Sequence, residues 1–61
     1  MRPQEFIRLM TAAGWYIHYQ TGSHIHFRHP VKTNTVIVPY HAGKELGKSL
    51  AHKLLKQAGL R

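Results

Sequence analysis

From Pro3 to Ala13 the apolar residues Phe6, Leu9, Met10 and Ala13 recur at i, i+3, i+4 and i+7, the spacing that lines one face of an α-helix. Pro3 suits the first helical turn, and Gly14 is placed to take the left-handed position that ends a helix. The period then changes to two. Trp15-Tyr16-Ile17-His18-Tyr19-Gln20 sets Trp15, Ile17 and Tyr19 against Tyr16, His18 and Gln20, which predicts a half-buried strand. Thr21, Gly22 and Ser23 turn the chain, and His24 to His29 reads as a second strand stopped by Pro30. Lys32-Thr33-Asn34 makes a polar loop before a third, β-branched strand, Thr35-Val36-Ile37-Val38, which ends at Pro39. Beyond a connection through residues 40–44, Leu46, Leu50, Ala51, Leu54, Leu55 and Ala58 mark a second helix, closed by Gly59 with Leu60 set to contact Leu55.

The predicted order is α-β-β-β-α. Loops of hairpin length make the three strands an antiparallel meander, and the fold class is α+β. Two amphipathic helices and one apolar sheet face have a simple packing solution: both helices cover the face carrying Trp15, Ile17, Ile25, Phe27, Val36 and Val38. The opposite face stays wet and is expected to show Tyr16, His18, Gln20, His24, His26 and Arg28, with no carboxylate among them. The run Gly22-Ser23-His24-Ile25-His26-Phe27 joins a turn, a polar face and an apolar face in six residues. No repeat, low-complexity tract or linker interrupts the chain, so residues 1–61 are read as a single domain.

Charge narrows the partner. Nine Lys and Arg oppose only Glu5 and Glu45, for a net charge of +7, which favours a polyanion or an acidic protein. Imidazoles, tyrosine and arginine interleaved on one strand face point to RNA. The absence of cysteine excludes disulfides and thiolate metal sites and makes a reducing cytoplasm the simplest setting. No apolar run approaches the roughly 20 residues of a membrane span, and no signal-peptide core follows Met1. His24 and His26 could supply two nitrogen ligands, with His18 or His41 a third, but no carboxylate joins them and no recognised spacing is present, so neither a metal site nor a cofactor is expected.

These pieces together resemble a known family. A short helix, Gly14-Trp15, Gly22-Ser23-His24 with Phe27, His29-Pro30, Val36, Val38-Pro39 with His41 soon after, Lys44-Glu45-Leu46, and Leu55-Lys56-Gln57-Ala58-Gly59-Leu60 occur in the order and spacing of the HicA toxins. Those toxins belong to bacterial type II toxin-antitoxin systems and are small ribonucleases, mRNA interferases with a double-stranded-RNA-binding-domain-like fold. The resemblance spans nearly the whole chain and implies that His24, the histidine of the Gly-Ser-His motif, is the catalytic residue. It also implies a HicB-type antitoxin that covers the His24 face. Two features depart from the pattern: Ile25 stands where many members have a second histidine, and Lys48-Ser49-Leu50 replaces a Pro-Gly-Thr-like entry to the last helix, leaving Ser49 as the hydroxyl for its N-cap.

A lone histidine suffices for such chemistry. RNA carries its own nucleophile, so a neutral imidazole acting as general base on the 2′-hydroxyl drives attack on the adjacent phosphate without metal. His26, about 6.5–7 Å along the same strand face, is the internal choice for general acid, with stacking or phosphate binding as its other reading. Ser23 offers a backbone N–H or hydroxyl to a phosphate, or serves only the turn. Arg28 and Lys44 are the preferred phosphate contacts and stabilisers of transition-state charge. His18 is read as an aid to binding; His29, His41 and His52 are read as structural or incidental, and Lys48, Lys53 and Lys56 as a solvated helix face. Two other functions stay open: a non-catalytic RNA-binding module of the same fold, and a protein-interaction module. The free protein is expected to be a monomer.

Overall fold

The computed structural model describes residues 1–41 and 43–61. The elements follow the expected order: α1 (Pro3–Ala12), β1 (Tyr16–Thr21), β2 (His24–Arg28), β3 (Val36–Pro39) and α2 (Lys48–Gln57). The strands form one antiparallel sheet in the order β1-β2-β3, which puts β2 at the centre with a partner on each side. This is the α+β architecture expected, consistent with a double-stranded-RNA-binding-domain-like fold. Ala42, within the connection to α2, lies outside the described residues.

Both helices end in the same way. At α1 the Trp15 N–H donates to Met10 O (3.0 Å) and the Gly14 N–H to Thr11 O (3.0 Å); at α2 the Leu60 N–H donates to Leu55 O (2.8 Å) and the Gly59 N–H to Lys56 O (3.1 Å). This 6→1 and 5→2 pairing is the Schellman motif, and its left-handed residue is glycine each time, Gly14 at φ 95° and Gly59 at φ 76°. The N-terminus of α2 departs from expectation. Gly47 is the N-cap and makes no side-chain cap, so Ser49 lies inside the first turn rather than capping it. Leu46, read as helical, precedes the helix and is buried there, with its N–H donated to Met1 O at 2.7 Å.

Phe6 and Met10 from α1, Ala51, Leu54 and Leu55 from α2, and Ile25, Phe27, Val36 and Val38 from the sheet close around Trp15 in one core. At about 2–3 kcal/mol for each large side chain fully buried, these are the contacts that offset chain entropy in so small a domain. The expected helical stripes are narrower than read: Leu9 and Leu50 stay partly in solvent.

β1 is where the period-two reading breaks. Its partners on β2 run Tyr16 to Arg28 and Ile17 to Phe27, then Tyr19 to His26, Gln20 to Ile25 and Thr21 to His24, so His18 is an extra residue in a β-bulge. Cross-strand partners share a face. Tyr19 therefore joins the histidine face instead of the core, and Gln20 moves to the face of Ile25. Ile17, expected in the core, shares the face of Phe27 but lies on the edge strand and is 49% exposed.

The β2–β3 loop clamps both helix ends. His29 Nδ1 accepts the N–H groups of Val31 (3.1 Å) and Lys32 (3.3 Å), which leaves Nε2 to donate to Ala13 O at 3.1 Å beside the end of α1. Lys32 Nζ donates to Ala58 O (2.9 Å) and Asn34 Nδ2 to Gln57 O (3.0 Å), supplying partners to carbonyls that α2 leaves open.

Candidate nucleic-acid interface

The β1–β2 connection is the two-residue tip Gly22-Ser23, with φ positive at Gly22 (55°) and, among the described residues, at no non-glycine. Glycine at the first tip position is the requirement of a type II′ turn, whose twist matches that of the flanking strands. The side-chain amide of Gln20 donates to the Gly22 carbonyl at 3.0 Å, and the Tyr40 N–H donates to the Ser23 carbonyl at 2.6 Å. The turn is thereby tied to the end of β3. His24 is the first residue after it, opposite Thr21 on one side and Pro39 on the other.

From His24 the side chains of β2 alternate. Ile25 and Phe27 enter the core, at 3% and 0% exposure, while His24, His26 and Arg28 project from the other face. The structure thus brings these three together on the central strand over about 13 Å. His24 is exposed, and among the described residues its ring has no hydrogen-bond partner. His26 is half-buried because it stands between two neighbours, Tyr19 across on β1 and Ile37 across on β3. Its ring lies parallel to that of Tyr19, with centroids 4.1 Å apart and 12° between the planes. Arg28 stands opposite Tyr16 and is exposed.

Ser23 sits at the tip, half-buried, immediately before His24. Lys44 lies apart from the β2 row. It is exposed on the connection between β3 and α2, where its N–H donates to His41 O at 3.0 Å. It lines one cleft with Arg2, Pro3 and Glu45, and a second, smaller one with Pro39 and His41. Pro39 is the β3 partner of His24, so the second cleft adjoins the same end of the sheet. The remaining histidines separate by role. His29 is bound into the fold as described, with its ring edge-on to Trp15 at 5.2 Å, and His18 occupies the bulge.

The electrostatics of the face follow from where the acids are. Glu5 accepts the Arg2 N–H in the first turn of α1, and Glu45 lies 3.8 Å from the Met1 nitrogen, so neither stands on the strand row. Among the described residues, no three of His, Cys, Asp or Glu are grouped to hold a metal ion. What the face offers is imidazole, phenol and guanidinium, a set matched to an anionic, aromatic polymer.

Tyr19 and Thr21 also belong to this face, although period-two alternation places Tyr19 on the opposite one and the turn signal claims Thr21. No glycine in Tyr16–Thr21 announces the bulge, so no local signal was available for it.

Comparison with known proteins decides the family. The model describing the HicA toxin of bacterial toxin-antitoxin systems matches residues 3–60, nearly the whole chain. The chain belongs to the HicA toxin family. A relative from Pseudomonas fluorescens (strain Pf0-1), named Probable mRNA interferase HicA, is 34% identical over 61 residues, covering 100% of this chain and 98% of the relative. Family membership agrees with the resemblance carried by Gly22-Ser23-His24 and by the Leu55–Leu60 helix end.

Proposed function

We propose that this HicA family member is the toxin of a type II toxin-antitoxin pair and acts as a metal-independent endoribonuclease on mRNA, with His24 as its general base. The reaction class follows the name of the Pseudomonas relative. The observation that carries the assignment of His24 is its setting: an exposed imidazole, without a hydrogen-bond partner among the described residues, next to a rigid two-residue turn on a face with no carboxylate. Such a ring is free to accept a proton from a ribose 2′-hydroxyl. The 2′-oxygen then attacks the adjacent phosphorus, the bond to the 5′-oxygen breaks, and that oxygen takes up a proton. The products are a 2′,3′-cyclic phosphate and a 5′-hydroxyl end. Arg28 and Ser23 flank the row where the phosphate lies, and a fixed cation stabilises the charge that builds on its oxygens. Lys44 approaches from the end of β3. His26, about two strand residues from His24, is in range to supply the leaving-group proton directly or to orient it.

The same cationic face suits an acidic HicB-type antitoxin, which inhibits by occluding His24. A cytoplasmic site of action is consistent with the cysteine-free chain, and no helix is long and apolar enough to cross a membrane among the described residues. The deciding experiment incubates single-stranded RNA with wild type and His24→Ala in EDTA. Wild type cleaves and His24→Ala does not, while a substrate with 2′-deoxyribose at the cleaved position survives both. Abolition by EDTA or a 5′-phosphate product overturns the mechanism, and RNA binding with cleavage by neither protein makes the chain a passive RNA-binding module.

A further inference from the structure

The open sheet face carries an aromatic ring, Tyr19, that the proton transfers leave unused. Tyr19 lies on this face because the ladder absorbs His18 as an extra residue and pairs Tyr19 with His26. There it stacks on His26 at 4.1 Å. β1 is an edge strand, so the sheet supplies Tyr19 with one neighbour and leaves the ring 50% exposed. His18 meets it edge-on, at 5.3 Å and 75°, and adds no second parallel layer. Ile37, 46% exposed, extends the same rung beyond His26.

A half-exposed phenol ring held in one orientation by a stacked neighbour loses little further freedom when another flat group joins it. On a face whose charged member is Arg28, the flat group that arrives together with negative charge is a nucleobase joined to its phosphate. Paired bases do not present their faces, so the substrate this platform selects is unpaired RNA. We propose that Tyr19 is a substrate-positioning residue: braced by His26, its ring takes one unpaired nucleobase of the RNA by stacking and so sets the neighbouring phosphate beside His24. This rests on reading the β2 face as the RNA-binding face.

Binding is measured in the His24→Ala background, so that the RNA stays intact, using a fluorescent single-stranded oligonucleotide. Tyr19→Phe keeps the ring and binds within about twofold of the parent, whereas Tyr19→Ala and Tyr19→Leu each weaken binding by roughly tenfold or more, the scale of one base–aromatic stack. Stacking is not ionic, so the dependence of log Kd on log salt keeps its slope in Tyr19→Ala, while Arg28→Gln lowers that slope by about 0.7. An abasic nucleotide at the stacked position weakens the parent by the factor that Tyr19→Ala loses on intact RNA, and weakens Tyr19→Ala no further. In the His24-containing protein, Tyr19→Ala raises KM more than it lowers kcat.

Unchanged affinity in Tyr19→Ala, an equal loss on fully paired RNA, or abasic and Tyr19→Ala effects that multiply would each overturn the proposal. Thermal unfolding of every variant confirms that the sheet is intact, and Tyr19→Leu retains apolar bulk at the edge. Failure here is separable from failure of the ribonuclease reading: cleavage that depends on His24 but ignores Tyr19 removes the platform alone. Tyr19-dependent binding without any cleavage removes the enzyme and keeps the platform.

Discussion

Among six histidines, chemical identity is shared and surroundings are not. His24 stands exposed after the turn, free of partners among the described residues, whereas both ring nitrogens of His29 are engaged by backbone groups of residues 13, 31 and 32. A side chain without such partners is replaceable at small cost to the fold, within about ±0.5 kcal/mol for a surface site. His24→Ala therefore retains wild-type stability in urea unfolding. His29→Ala removes the part-buried bond to Ala13 O, the acceptor of the exposed Val31 and Lys32 N–H groups and the edge contact with Trp15, and lowers stability by roughly 0.5–1.5 kcal/mol in the same measurement, with the RNA-binding face intact. Reversal of that order would contradict the division of roles. The position of His24 after Gly22-Ser23 was legible in the sequence, because turn chemistry is local. The clamp made by His29 was not, since Ala13 is 16 residues away and nothing in a histidine's neighbours along the chain names a distant carbonyl.

At the level of elements, the helices were readable to within two or three residues because a 3.6-residue period and a C-terminal glycine are both local signals. β1 was readable as a strand and misread as a pattern. Alternation assigns faces only while the ladder stays in register, and one extra residue inverts every assignment beyond it. The bulge has a direct test. Ile17 and Tyr19 already face consecutive partners, Phe27 and His26, so deleting His18 closes the ladder without moving either. The deletion is expected to keep the fold within about 1 kcal/mol of wild type. It also keeps a ring-to-ring proximity signal between Tyr19 and His26 in the NMR spectrum; loss of that signal with the fold preserved would show that the stack needs the bulge.

For the whole molecule, size governs the response to mutation. A domain of 61 residues has a stability of roughly 3–9 kcal/mol, and truncation of a fully buried phenylalanine costs about 3–5 kcal/mol. Phe27→Ala, at the centre of the sheet with its ring 0% exposed, is expected to unfold much of the population at 37 °C as followed by circular dichroism. An antitoxin that binds only the folded state restores the transition toward higher temperature by mass action, which a titration with the partner reads out. The element order, the polarity of each helix, the excess of cationic charge and the Gly-Ser-His turn were all determined by the sequence alone, because each depends on residues within a few positions of one another. The tertiary structure alone decided that Tyr19 shares a face with His26, that Gln20 leaves the face alternation gave it, and that Lys32 and Asn34 close the end of α2. The physical reason is common to all three: cross-strand register and carbonyl capping are settled between segments distant along the chain, where hydrogen-bond pairing and core packing outweigh local periodicity.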